Sequence, residues 1–391
     1  MGKNRFHFFI SGEEEAVFPG SRLWELPLSG IRSGREGDFP SESASQGSKI
    51  TVGDYFLASC EVLSGKEFLI LRKGLGAVFS RPVSKVDIAG VSVFLEKHGA
   101  FYHPLKIRVE LKNSQTCFFV LNGAVSGPGL SLIETEYALI SRLNKFFLKS
   151  YLPRIFGLDI LETQKGRIGF FLGEWFQDYK EFHVTGGSGQ RKIVIWESDG
   201  SCRYLPEKSM LPVYREAARI LTFYYNIDTF EQIYPWHHAA GDFIVREAGG
   251  RFHVRLVTVR GYSPLTEFGS DEADQKNHIL PSLLVFFFTL SLKMRLDRID
   301  GTGEAVMLGD GVLTTIVDGF LDALDEKSKV YDYGDLRQVF TTFLNGFSLD
   351  QIMNTVAAIL ESCDWNPVEN LLIKENLESH CRILQSVFKT L

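Results

Sequence analysis

The stretch Pro235-Trp236-His237-His238-Ala239-Ala240-Gly241-Asp242-Phe243-Ile244-Val245 is a polar loop, dense in titratable side chains, that runs straight into an apolar strand. Glycine beside the aspartate lets the backbone turn sharply, and the Phe-Ile-Val triplet anchors the loop in a core, so an acidic group is held at a defined edge. The same residues also suit a hairpin shoulder with one solvated aspartate. Downstream, Ala248-Gly249-Gly250 reads as the turn of a β-hairpin, and beyond Pro264 the pattern is almost all helix. Pro281 is placed as a first-turn residue for a helix over Ser282 to Asp297, with further amphipathic helices at Val312 to Leu324, Leu336 to Phe343 and Leu349 to Ser362. Upstream of the loop, Val213 to Tyr225 is also helical.

Nearer the amino terminus the texture is that of strands. Glu67 to Leu71, Lys106 to Leu111 and Thr116 to Leu121 are β-type runs broken by Gly and Asn, which predicts antiparallel strands across Ile50 to Val125. Ser131 followed by Glu134 has capping-box spacing and opens a helix whose face carries Ile133, Tyr137 and Ile140. Strands are then expected at Arg154 to Leu161 and Arg167 to Trp175, and a hairpin through Gly186-Gly187-Ser188-Gly189, Lys192 to Trp196 and the Asp199-Gly200 turn. Residues 29–49 hold too little apolar surface to offset ordering entropy and read as a linker. The domain expectation is therefore an extension and linker over 1–49, a β-rich half over 50–185, and a helical half with hairpin and carboxyl-terminal helices over 186–391.

Composition narrows the function classes. At 391 residues, 45% hydrophobic and 13% aromatic, the chain can build substantial cores. A net charge of -6 with no Lys/Arg stripe gives no electrostatic footprint for nucleic acid. Cys60, Cys117, Cys202, Cys363 and Cys381 are scattered, which points to reduced, buried thiols. The cluster before Glu13-Glu14-Glu15 is too short for a signal-peptide core, and the apolar run Ile279 to Leu292 is a buried helix rather than a membrane span, so a cytoplasmic protein is expected.

Four stretches in order carry a family resemblance. Ile133 to Leu143, with Glu136 seven positions before Leu143, looks like the small-lobe helix of aminoglycoside and choline kinase relatives. Leu152-Pro153-Arg154-Ile155-Phe156-Gly157 is similar to the strand entrance after it, and Phe170-Phe171-Leu172-Gly173-Glu174-Trp175 to the inter-lobe hinge. The histidine loop and its hairpin resemble the catalytic loop and metal-binding strand, with local likeness to lipopolysaccharide-core sugar kinases. The resemblance spans roughly residues 100–325. It implies an α+β, two-lobed protein-kinase-like fold, with an antiparallel β-rich lobe containing one helix and a mainly helical lobe.

The resemblance also implies a site, and the site departs from the family pattern. Asn122 falls where a phosphate-binding lysine belongs, with Lys106 or Lys112 as the lysines that could reach across. Two registers compete in the loop. In one, Asp242 takes the magnesium-ligand position and His237 the base position; in the other, Asp242 is the base and Glu247 takes the metal-ligand place. The second metal-ligand position falls at Thr258, a poor replacement for a carboxylate. Glu136, Asn122, Glu174 and Thr258 are thus the expected cofactor-contacting residues, His237 and Asp242 the catalytic ones, and ATP and magnesium the implied cofactors. Lys73 to Phe79 offers two glycines for a nucleotide loop, or a plain turn.

Other patterns suggest other chemistry. His237 and His238 point to opposite sides of an extended loop and do not suit one metal together, whereas one of them with His253 and an aspartate gives a His-His-Asp set for zinc or iron, and Arg295 to Glu304 superficially resembles a calcium loop without its spacing. Three functions are expected to compete: a pseudokinase-like protein binding a nucleotide, metabolite or protein partner in the inter-lobe cleft; an ATP-dependent phosphotransferase acting on a small-molecule or glycolipid hydroxyl; and a non-enzymatic α+β interaction module.

Overall fold

Apolar residues at every second position of Leu105–Leu111 and Thr116–Ala124 bury one face of each strand, and these two runs form the centre of the first sheet. The computed structural model describes residues 5–12, 15–28, 50–96, 102–186, 191–197, 201–238, 241–265, 272–362 and 365–391. It divides into one unit of Met1–Phe146 with Leu152–Gln177 and another of Phe147–Tyr151 with Asp178–Leu391. The expected linker over 29–49, the hairpin residues Gly187 to Gly189, the Asp199-Gly200 turn, Ala239, Ala240 and Cys363 lie outside the described residues.

The first unit runs β1 (Phe6–Ile10), α1 (Val52–Phe79), β2 (Ile88–Leu95), β3 (Leu105–Leu111), β4 (Thr116–Ala124), α2 (Gly127–Phe146), β5 (Ile155–Thr163) and β6 (Gly166–Glu174). Its sheet has the order β1-β2-β3-β4-β6-β5. Strands β2 to β6 pair antiparallel, with α2 inserted before the fourth of them, while β1 adds a parallel edge to β2. Leu105, Ile107, Val109 and Leu121 pack with Tyr55, Phe56, Leu63 and Leu71 of α1 in one core. Phe171 and Ala124 turn to the other face and meet Leu130 and Ile133 of α2.

Several expectations for this unit are corrected. Glu67 to Leu71 is not a strand but lies within α1, which resumes after Phe68 with buried Leu71 and Leu75 at helical spacing. The helix is broken by non-helical backbone at Gly65–Phe68, and a Thr51/Asp54 capping box opens it. Lys73 to Phe79 lies in the same helix, so it is neither a nucleotide loop nor a turn. Among its described residues the unit therefore holds two α-helices where one was expected, and β1 makes its sheet mixed. Helix α2 starts before Ser131, where the Ser126 hydroxyl accepts from the Gly129 amide at 3.1 Å. Glu136 and Leu143 nonetheless share its buried face.

The second unit contains β7 (Lys180–Thr185), β8 (Lys192–Trp196), β9 (Cys202–Leu205), α3 (Glu207–Tyr224), β10 (Gln232–Ile233), β11 (Phe243–Ala248), β12 (Arg251–Leu256), β13 (Tyr262–Ser263), α4 (Glu272–Lys293), β14 (Leu296–Arg298), β15 (Ala305–Met307), α5 (Asp310–Val330), α6 (Leu336–Asn345), α7 (Leu349–Ser362) and α8 (Pro367–Lys389). One sheet runs β12-β11-β7-β8-β9, and β10-β13 and β14-β15 form short ladders. Helices α3 and α5 cross closely at Gly319, where an added Cβ would lie 2.2 Å from the Arg215 carbonyl oxygen. Phe287, Phe320, Phe340 and Phe388 from α4, α5, α6 and α8 pack tilted or edge-to-face into one cluster. Pro281 sits inside α4, not at its start, and the helix stops at Lys293, so Asp297 belongs to a strand.

The α+β class holds: a mixed-sheet amino-terminal unit and a largely helical carboxyl-terminal unit, compatible with a two-lobed kinase-like fold. No helix among the described residues is long and apolar enough to cross a membrane. Cys60, Cys117 and Cys381 are buried, and burial raises the thiols of Cys117 and Cys381 to about 11 and about 12.

Candidate functional site

In the second unit the loop between β10 and β11 is entered through a cis Tyr234–Pro235 bond and left at Gly241, whose φ of +73° suits glycine. Asp242 follows it at 0% exposure. A carboxylate so placed needs full compensation, and both of its oxygens are taken. Arg260 donates from Nη2 to Oδ1 at 2.5 Å and from Nη1 to Oδ2 at 2.6 Å. Thr258 Oγ1 donates to Oδ1 at 2.9 Å and the His237 amide to Oδ2 at 2.8 Å. This is the bidentate guanidinium fork, the strongest neutralising arrangement a protein offers a carboxylate. His237, Asp242 and Thr258 are thus brought together, around a cation that the chain supplies itself. A magnesium ion at Asp242 would have to displace Arg260, and the residues present do not fit one.

A buried polar cluster lies behind the loop. His238 is sealed from solvent, and neither ring nitrogen has a hydrogen-bond partner among the described residues. Its Nδ1 stands 3.6 Å from Asp297 Oδ2, which accepts from the Tyr214 hydroxyl at 2.9 Å. Burial, aided by the charge of His237, pushes the His238 imidazole well below its ordinary value, and burial raises Asp297. Burial thus disfavours the charged form of each. The His237 side chain points elsewhere, with Nε2 3.5 Å from Glu369 Oε1 in α8. His253 is on β12 opposite Arg246, and no group of three metal-binding side chains occurs among the described residues. The segment read as a calcium-like loop is the β14–β15 hairpin, and Asp297 in it is committed to Tyr214.

The remaining candidates belong to the first unit. Asn122 lies on β4 opposite Phe171 of β6 and, by strand alternation, on the face that α2 covers. Glu136 is buried on α2. Glu174 is engaged by Arg154, from Nε to Oε2 at 3.1 Å and from Nη2 to Oε1 at 3.0 Å, and by the Arg154 amide at 3.2 Å. Lys106 holds its ammonium over the rings of Phe118 and Trp175, at 5.1 and 4.8 Å from their centroids. Those rings lie along the sheet away from Asn122, because Lys106 is opposite Val120 and Phe118 is the next residue on that face in the other direction.

Sequence reasoning missed Arg260, Tyr214 and Glu369, and met Asp297 only as part of a calcium-like turn. Arg260 alone left a readable sign: a lone arginine in the apolar run Leu256-Val257-Thr258-Val259-Arg260-Gly261, two residues from Thr258. The others come from distant elements, and local spacing has no term for them.

No protein-family description matches the chain, and no curated protein matches it. Among solved structures it is similar to the Drosophila melanogaster PAN3 pseudokinase, at 10% identity over 78% of this chain and 69% of that one, with a TM-score of 0.27. At that score the likeness carries no functional weight.

Proposed function

We propose that the chain is a kinase-like-fold protein with a degenerate active site, which binds a ligand or protein partner without transferring phosphate. The observation that supports this reading is the closure of Asp242 by Arg260. Phosphoryl transfer depends almost wholly on positioned charge around a metal-bound phosphate. Here the carboxylate assigned to the metal is neutralised by a guanidinium, the second metal-ligand position is a threonine donating to that carboxylate, and the phosphate-lysine position is Asn122. Each substitution removes charge that ATP and magnesium would need.

The test is a transfer assay on the full chain with labelled ATP and magnesium, offering the protein itself, sugars and glycolipids as acceptors. The native chain and Asp242→Ala should both remain at background. Transfer by the native chain that Asp242→Ala abolishes would establish the active phosphotransferase instead. Thermal shift with ATP gives an independent readout, and any stabilisation should be the same with magnesium or with chelator.

A further inference from the structure

The inward face of α8 carries Ile373, Leu384 and Phe388, all buried, and His380 lies among them at 0% exposure. An imidazole so placed needs partners for both ring nitrogens, and it has them. Arg295, just past the end of α4, brings Nη1 to 3.1 Å from His380 Nδ1. Ser291, in the last turns of α4, brings Oγ to 3.1 Å from Nε2. The guanidinium is itself held in place, its Nε donating to the Leu308 carbonyl at 2.8 Å and its Nη2 to Asp310 Oδ1, at the head of α5, at 3.2 Å.

These contacts fix where the imidazole proton sits. A guanidinium only donates, so Nδ1 must offer a lone pair. The Ser291 hydroxyl donates to the Phe288 carbonyl at 2.9 Å, which leaves the serine oxygen to accept from Nε2–H. The ring is therefore neutral. A second proton on Nδ1 would set donor against donor and imidazolium against guanidinium in a sealed site. Burial first, and the Arg295 charge second, accordingly hold the His380 ring down at about 3, against an ordinary 6.5. The neighbouring groups do not relieve this: burial pushes the Cys381 thiol up to about 12, and Glu378 pairs with Arg382 on the exposed side of the helix. At the other end of α8 the sense is reversed, because His237 Nε2 stands 3.5 Å from Glu369 Oε1, and a proton on that ring would face a carboxylate.

We infer that His380, Arg295 and Ser291 form an acid-released latch on the carboxyl-terminal half of α8, which lets that segment go as the pH falls below neutrality while the first turn stays docked. The open segment binds a proton that the closed one refuses, so closure is strongest above about 6.5 and weakens as the pH drops through that value. Release carries Phe388 away from Phe287 and Phe340, whose rings it meets at 5.4 and 6.1 Å, and so uncovers the aromatic cluster beneath the helix. The latch is independent of whether the chain transfers phosphate.

Amide hydrogen exchange of the full chain at pH 7 and pH 5, read by mass spectrometry and corrected for the intrinsic pH dependence of exchange, tests this. Peptides within 376–389 should lose protection roughly twentyfold, the ratio that one histidine of ordinary affinity gives across that interval, while those from α3, α5 and the first turn of α8 keep theirs. His380→Gln retains an acceptor for Arg295 and a donor for Ser291 but takes up no proton, and it should stay closed at pH 5. His380→Asn carries the same groups on a shorter arm and serves where the Gln variant folds poorly. Nitrogen NMR of the native chain should show a neutral His380 ring, protonated at Nε2, in the closed form at pH 5. Protection of 376–389 unchanged by acid, an equal loss in the variants, a loss shared by α3 and α5, or a charged ring in the closed form would each overturn the inference.

Discussion

At the scale of single residues, Arg260 has the largest consequence, because it is the counter-ion of a carboxylate with no access to water. Replacing it with Met strands that charge beside one hydroxyl and one amide, and the expected cost is about 3–5 kcal/mol, read as a lowered urea midpoint. A loss under about 1 kcal/mol would contradict the role of Arg260 as the group that compensates Asp242. Lys327 of α5 poses a similar problem without a matching solution. It is packed among Phe147, Phe223 and Tyr331, and burial lowers its ammonium from 10.5 to about 7, against the opposing pull of Asp228 and Glu326. Between those values the unfolded chain holds a proton that the folded chain lacks. Stability should therefore rise with pH from about 7 to about 10, with the penalty complete below that window. Lys327→Met should flatten that rise in urea midpoints taken across the range. An equally steep rise in the variant would assign it to other groups.

At the scale of elements, the aromatic cluster joining α4, α5, α6 and α8 should dominate the stability of the second unit. Phe287→Ala removes a fully buried ring from its centre and should cost about 3–5 kcal/mol by denaturant unfolding. In the first unit Thr51→Ala should cost about 1 kcal/mol, since the Thr51 hydroxyl caps the Asp54 amide at 3.2 Å. These two elements mark what the sequence does and does not disclose. Lys106 to Leu111 alternates, Thr116 to Leu121 is a β-type apolar run, and both were legible as strands; the Ala248-Gly249-Gly250 turn was legible from its glycines. Helix α1 was not, because its left-handed break at Lys66 to Phe68 interrupts the helical period just where Phe68 to Leu71 form a β-type apolar run. Helix α4 was misread at both ends, its first turns lying upstream of a proline that the helix tolerates and its last turn closing at Lys293, before the short strand that holds Asp297.

At the scale of the whole molecule, the order of elements proved more informative than any one motif. The α+β class, the adjacent strands β3 and β4, helix α2 and the β5–β6 hairpin follow from patterning that each segment carries locally, whereas β2 was not read and a strand was expected where α1 lies. Asp242 was placed correctly in its loop, but its chemistry was decided by Arg260, which lies beyond a hairpin and enters only through the fold. The same holds for His237, whose neighbour Glu369 comes from a helix more than a hundred residues away. The central claim is that a guanidinium occupies the place of a divalent cation, and manganese titration followed by electron paramagnetic resonance tests it most directly. The native chain should leave the manganese signal unbound at Asp242, so that Asp242→Asn produces the same titration curve. A bound-manganese component in the native chain that disappears in Asp242→Asn would contradict it.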